Sequence, residues 1–110
     1  MPGNLHAASG APGVGDHVVI HGRITIGNSG EMRSKLFDVL RAKPATVSID
    51  LSDVSYIDTS GLATLVEAVR IARRHGTRLI LLGIRDQPRY LFEITHLDRS
   101  FEIAGEEASR

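Results

Sequence analysis

The sequence predicts a small single-domain α/β protein with a mostly parallel sheet of four to five strands and about three to four covering helices. Three observations lead there. Residues 46–51, Thr-Val-Ser-Ile-Asp-Leu, place Val47, Ile49 and Leu51 on one face at the two-residue period of a strand. Residues 60–75 then repeat their apolar positions at helical spacing, and Arg78-Leu-Ile-Leu-Leu82 follows as a run too short for a helix. Strands and helices alternate in this way along the chain, the order that builds a parallel sheet through right-handed crossovers. With 110 residues there is enough chain for one modest core and too little for two domains.

Residues 1–15 are rich in Gly, Ala and Pro and lack a hydrophobic period, so they read as a flexible N-terminal tail. The folded domain is expected over residues 16–104. It begins with His-Val-Val-Ile-His, Gly22 and Arg-Ile-Thr-Ile, two β-branched runs that could pair as a hairpin or form one bent edge strand. Asn28 followed by Glu31 fits a capping box. Met32, Leu36, Phe37, Val39 and Leu40 then recur as one helical face until Pro44 prevents continuation.

The strand over 46–51 leads into a second helix with Leu62, Leu65, Val66, Val69 and Ala72 inward and Glu67, Arg70, Arg73 and Arg74 outward. Gly76 is its natural C′ residue, and the arginines and His75 complement the helix dipole at that end. Residues 78–82 read as a buried parallel strand. Asp86 and Pro88 announce a third helix carrying Tyr90, Leu91, Phe92 and Ile94, residues 101–103 a last short strand, and 105–110 a C-terminal tail. Leu91 and Phe92 could complete the core or form a dimer face.

Composition narrows the function. Thirteen basic and thirteen acidic side chains give a formal net charge of zero, so no nucleic acid and no anionic membrane is expected as a direct partner. The absence of cysteine excludes disulfides, thiolate zinc sites and Cys nucleophiles. The first residues lack the pattern of a signal peptide and no long apolar run occurs, which leads to a cytoplasmic expectation.

The chemistry concentrates at Asp58-Thr59-Ser60-Gly61-Leu62, where a strand runs straight into a helix and sets two hydroxyls at its N-terminus. The first N–H groups of a helix have no partner within it and the dipole favours negative charge, so Thr59 or Ser60 there can cap the helix, take a phosphate, or do both. Asp58 could equally be the cap, with Thr59 in the first turn. A hydrolase reading of Ser60 finds no Gly-x-Ser-x-Gly, and the triplet Asp-Thr-Gly is broken by Ser60. Asp50 and Asp53 read as strand-end carboxylates that accept turn N–H groups rather than as metal ligands. His17 and His21, four residues apart in a strand, have Cα atoms separated by about 13 Å, too far for one metal. No cofactor, no metal site and no catalytic residue is expected.

The stretch Ile49-Asp-Leu-Ser-Asp-Val-Ser-Tyr-Ile-Asp-Thr-Ser-Gly-Leu-Ala-Thr-Leu65 resembles the signature of the STAS domains, the family of anti-sigma-factor antagonists. Gly-Arg-Ile before the first helix, Gly-Thr-Arg-Leu after the second, and Tyr90-Leu-Phe-Glu-Ile-Thr-His-Leu-Asp-Arg-Ser-Phe101 extend the similarity over about residues 16–104. The resemblance implies a STAS-like fold and a non-enzymatic binding switch. Its phosphoacceptor would be Thr59, with Ser60 the second candidate. Partner binding would involve Asp58, Thr59, Ser60, Gly61 and Leu62, together with Asn28.

The implied partner is an anti-sigma factor that is also a serine/threonine protein kinase. It would bind the dephosphorylated domain and free its sigma factor, phosphorylation would break that grip, and a phosphatase would restore it. The chain departs from many kinase-dependent members in having Thr at the acceptor position and no acidic residue in Thr25-Ile-Gly27-Asn28. A phosphate on Thr59 would add about −1.5 to −2 charges, to be received by the N–H groups of Ser60, Gly61 and Leu62, blocking a partner without unfolding the domain. Gly61 would let the partner's backbone approach closely, or equally would only relieve crowding between helix and sheet. The alternatives are an unregulated STAS docking module and a small-ligand module sensing a nucleotide or anion.

Overall fold

Alternating burial along the strands shows where the core lies. In the computed structural model, which describes residues 5–9 and 16–104, the chain forms β1 (Leu5–Ser9), β2 (Asp16–Ile24), α1 (Ser29–Arg41), β3 (Thr46–Ile57), α2 (Thr59–His75), β4 (Arg78–Leu82), α3 (Asp86–Ile94), a 3-10 turn (Leu97–Arg99) and β5 (Glu102–Ala104). The sheet runs in the order β1-β2-β3-β4-β5; β1 pairs antiparallel with β2 and the other three pairings are parallel. This agrees with the expected α/β class.

Register aligns Val18 with Ile49 and Ile49 with Leu81, and all three are buried with the apolar faces of the helices, Met32, Leu36 and Leu40 from α1 and Leu65, Ala68 and Ala72 from α2. The intervening residues His17, Val19, Ser48, Asp50, Ile80 and Leu82 are only half-buried. The helices therefore cover one face of the sheet. Residues 78–82 are buried on that face alone, not on both as their apolar run implies.

Several boundaries differ from the sequence reading. Residues 5–9, expected within a tail, form β1, because an edge strand can be held by backbone pairing with β2 and needs no hydrophobic period of its own. The remaining residues of the two expected tails, 1–4, 10–15 and 105–110, lie outside the described residues. Residues 17–24 are one bent strand and not a hairpin, and an inner strand rather than the edge strand expected, since β1 takes the edge: Gly22 has φ +85°, and the β2–β3 register shifts on both sides of it. As one strand it keeps β3 beside it from Val47 to Ile57, and it carries the chain from β1's edge to the site.

Strand β3 is twice as long as the six residues expected, because β2 accompanies it as far as Ile57 after β4 has ended at Asp50. The backbone of Ile57, left without a β4 partner, is completed by Gln87 of α3, whose Oε1 accepts from Ile57 N at 2.9 Å and whose Nε2 donates to Ile57 O at 3.0 Å. Phe92 is buried and stacks at a tilt on Phe101, their centroids 5.2 Å apart. Leu91 is half-buried against the same core. Helix α2 ends as expected at Gly76, φ +74°.

Candidate functional site

The site is built where β2 and β3 end side by side. Asp58 follows directly on β3 with extended backbone (φ −99°, ψ −176°) and is the N-cap of α2. Its Oδ1 accepts from the N–H of Ser60 at 2.9 Å, from the Ser60 hydroxyl at 2.6 Å and from the N–H of Gly61 at 3.2 Å. Its backbone oxygen accepts from Leu62 N at 3.0 Å. The cap is thus the aspartate, and neither hydroxyl.

The other carboxylate oxygen reaches across to the preceding loop. Asp58 Oδ2 accepts from Ile26 N at 3.0 Å, and Asp58 N donates to Ile24 O at 3.0 Å. The Ser60 hydroxyl first, then the N–H groups of Gly61, Ile26 and Ser60, hold the Asp58 carboxyl below the ordinary carboxylate range against the opposing effect of desolvation. It is a charged, fully occupied anchor at neutral pH.

The loop itself closes on Asn28. Thr25 O accepts from Asn28 N at 3.0 Å and from Ser29 N at 2.8 Å, Asn28 Oδ1 accepts from Thr25 N at 2.9 Å, and Asn28 Nδ2 donates to Arg23 O at 2.8 Å. The expected capping box is absent, since the Asn28 side chain bonds back to the strand end rather than forward into α1. An amide placed to receive Thr25 and Arg23 cannot also reach the third residue of the helix. What it does is stiffen the turn that displays Ile26.

Six residues were expected to face a partner, and the fold separates them. Thr59, the first residue of α2, is exposed and makes no side-chain hydrogen bond among the described residues, whereas Ser60 is half-buried and its hydroxyl is committed to Asp58. Asp58 and Asn28 are half-buried, with their polar atoms spent on the two loops. Gly61 is buried, and a Cβ there would lie 2.6 Å from Ile24 Cγ2 and 2.8 Å from Ile57 Cγ1. Its lack of a side chain lets α2 approach the strands, so of the two roles expected for it the relief of crowding between helix and sheet is the one found, and the approach of a partner's backbone is not.

Leu62 is 6% exposed, and its remaining surface lines a groove of about 450 Å³ along α2 with Thr59, Ala63, Val66 and Leu97. The N–H groups of Ser60, Gly61 and Leu62, expected to receive a phosphate, are all taken by Asp58. A phosphate on Thr59 would instead point to the surface.

Two residues of the site escaped the sequence reading. Ile26 continues the apolar pattern of the strand before it, yet it stands 80% exposed on the turn beside Asp58. Gln87 carries no local signal at all, because its partner lies 30 residues earlier. Elsewhere, Asp50 accepts from the N–H and hydroxyl of Ser52 at 2.9 and 2.6 Å, but within β3 and not at the strand end and turn expected for it, because the strand runs on to Ile57. Desolvation pushes its carboxyl up, and the Ser52 bonds with His17 and His21 nearby more than offset this, leaving it below the ordinary range. His21 Nδ1 lies 2.9 Å from Asp53 Oδ2. Among the described residues no three His, Asp or Glu side chains gather as a metal site, and no helix is long and apolar enough to cross a membrane.

A mostly parallel sheet covered on one face, with an exposed hydroxyl at the start of a helix whose cap is already filled, defines a small α/β domain of the class in which a strand runs directly into a capped helix. The chain belongs to the STAS domain family, whose family model matches residues 11–109. It is 36% identical over 95 residues to the anti-sigma-B factor antagonist of Listeria monocytogenes, covering 84% of this chain and 82% of that protein. Solved structures of SpoIIAA share the fold at 18% identity. The unphosphorylated anti-sigma factor antagonist superposes with a TM-score of 0.76 over 96% of this chain and 91% of that one. The phosphorylated Bacillus protein does so with 0.70 over 96% and 95%.

Proposed function

We propose that this chain is an anti-sigma factor antagonist that binds an anti-sigma factor with serine/threonine kinase activity and is switched off by phosphorylation of Thr59. The observation that carries the reading is the inequality of the two hydroxyls: Thr59 is exposed and has no side-chain hydrogen bond among the described residues, while the Ser60 hydroxyl donates a hydrogen bond to Asp58 at 2.6 Å. A hydroxyl that must attack a γ-phosphate has to be reachable and in line. Thr59 is reachable, and Ser60 would first have to leave the cap. The kinase supplies the nucleotide and most of the positioning.

The consequence of transfer follows from charge. A phosphothreonine would bring about −1.5 to −2 charges next to the ionised Asp58. With the N–H groups of Ser60, Gly61 and Leu62 already taken by Asp58, they do not draw that charge inward. The phosphate stays on the docking surface, where its bulk, its charge and the cost of desolvating it weaken the complex. The fold stays as it is, the anti-sigma factor is released to take its sigma factor again, and a phosphatase resets the domain.

The test is to incubate the purified chain with ATP and the anti-sigma kinase encoded nearest to it, then locate any added phosphate by intact mass and fragmentation. Phosphate on Thr59, lost in Thr59→Ala and kept in Ser60→Ala, is the expected result. Thr59→Glu should weaken the complex by roughly tenfold or more. A stable complex without phosphate would make the domain an unregulated docking module, and neither complex nor phosphate would overturn the reading.

A further inference from the structure

We infer that Ile26 is the apolar anchor by which the kinase grips this domain, seated in an apolar recess of the kinase beside its nucleotide site. The inference rests on the reading of Thr59 as phosphoacceptor. Three large apolar side chains stand exposed among the described residues, Ile26 at 80%, Tyr90 at 62% and Ile94 at 53%, and the last two lie on α3. Ile26 alone is joined to the Thr59 junction, through its N–H on Asp58 Oδ2 at 3.0 Å. The residue bonded to it is the immediate neighbour of the proposed acceptor.

Reach then places it inside any productive complex. Phosphoryl transfer brings the reacting atoms within about 3–3.5 Å, so the kinase must sit directly over Thr59. A stable interface covers about 800 Å² of each partner, which as a disc extends roughly 16 Å from its centre. A side chain whose own peptide nitrogen bonds to Asp58 lies within that disc. It meets the kinase whether or not it helps.

Rigidity makes the meeting favourable. The turn from Thr25 to Asn28 is closed by the Asn28 amide on Thr25 N and Arg23 O and by Thr25 O on two N–H groups. Little backbone freedom remains to be lost on docking. The side chain contributes nothing to the core, and its burial against an apolar wall accounts for an affinity gain of about ten- to a hundredfold. Charged neighbours do not compete for the spot, because the Asp58 carboxylate is already turned onto the turn's own N–H.

The experiment titrates the kinase with the full chain by calorimetry, in wild type, Ile26→Ala, Ile26→Asp, Ile26→Leu and the exposed control Tyr90→Ala, with Thr59 phosphorylation followed in parallel. The expected result is a Kd raised about ten- to a hundredfold in Ile26→Ala, more in Ile26→Asp, and within about threefold of wild type in Ile26→Leu and Tyr90→Ala. Unchanged thermal midpoints exclude a folding effect, as the exposure of Ile26 leads one to expect. Unaltered affinity in Ile26→Ala and Ile26→Asp, with the wild type bound and phosphorylated, overturns the anchor and leaves the switch standing. Ile26→Ala altering self-association of the free chain but not kinase affinity overturns it too. A wild type neither bound nor phosphorylated removes the switch and the anchor together.

Discussion

The hydroxyl of Ser60 donates to Oδ1 of Asp58 at 2.6 Å, in the same cap that holds the N–H of Ser60 and of Gly61. One of two adjacent hydroxyls is thereby turned into structure, and the other is left for chemistry. The pair also sets a pH dependence. A carboxyl whose folded pKa lies below its ordinary value of 3.8 adds stability that is complete above that value and is lost as pH falls through the lower folded pKa. Ser60→Ala removes the largest cause of the shift. The variant should therefore unfold at a lower temperature than wild type at pH 6, with the gap closing as the pH falls below the ordinary value of 3.8 and the Asp58 carboxyl takes up its proton. Thermal scans across pH check this, and a gap that widens in acid would contradict the assignment.

Gly61→Ala tests the approach of α2 to the strands. Alanine is the better helix former by about 1 kcal/mol, but its Cβ would press on Ile24 Cγ2 and Ile57 Cγ1 at 2.6 and 2.8 Å. Overpacking of this kind costs about 1–3 kcal/mol, so a net loss of up to roughly 2 kcal/mol is expected in urea denaturation. A stabilised variant would mean that the helix can move away from the sheet at little cost.

Gln87→Ala leaves the N–H and C=O of Ile57 without the partner that α3 provides. Stranding partly buried backbone groups costs about 1–3 kcal/mol. Amide exchange should report the damage locally, with faster exchange at Ile57 and Asp58 than at core positions of β4. Uniform exchange across the sheet would show that Gln87 does not hold the end of β3.

Phe92→Ala should be the most destabilising of these changes. The ring is 1% exposed and rests on Phe101, so truncation both removes transfer energy and opens a cavity, about 3–5 kcal/mol in all. Since the domain's whole stability is of order 5–15 kcal/mol, the variant is expected to unfold in markedly less urea. Retention of the wild-type midpoint would place α3 outside the cooperative core.

What was legible in the sequence was legible because its cause is local. The period of Val47, Ile49 and Leu51, the spacing of Leu62, Leu65 and Val69, the stop at Pro44 and the Gly76 cap each depend on residues within one or two turns of each other. They were sufficient for the α/β class and for the position of the strand-to-helix junction. The capping box at Asn28 and Glu31 failed for the complementary reason: the Asn28 amide found partners in Thr25 and Arg23, which helix signals do not weigh. Strand β1 was missed because an edge strand can rest on backbone pairing and leaves no periodic trace.

The sequence by itself determined the order of the elements and set Asp58, Thr59 and Ser60 at the head of a helix. Only the tertiary structure decided which of the three does what. Asp58 caps through Oδ1, and its second oxygen is tied to the loop before α1 because Ile26, 32 residues earlier, brings an N–H to it. Gly61 turns inward because Ile24 and Ile57 stand where its side chain would be. Ile26 turns outward because its turn is tied down on both sides. Each of these roles rests on contacts between strands distant in the chain, and no local pattern can carry such information.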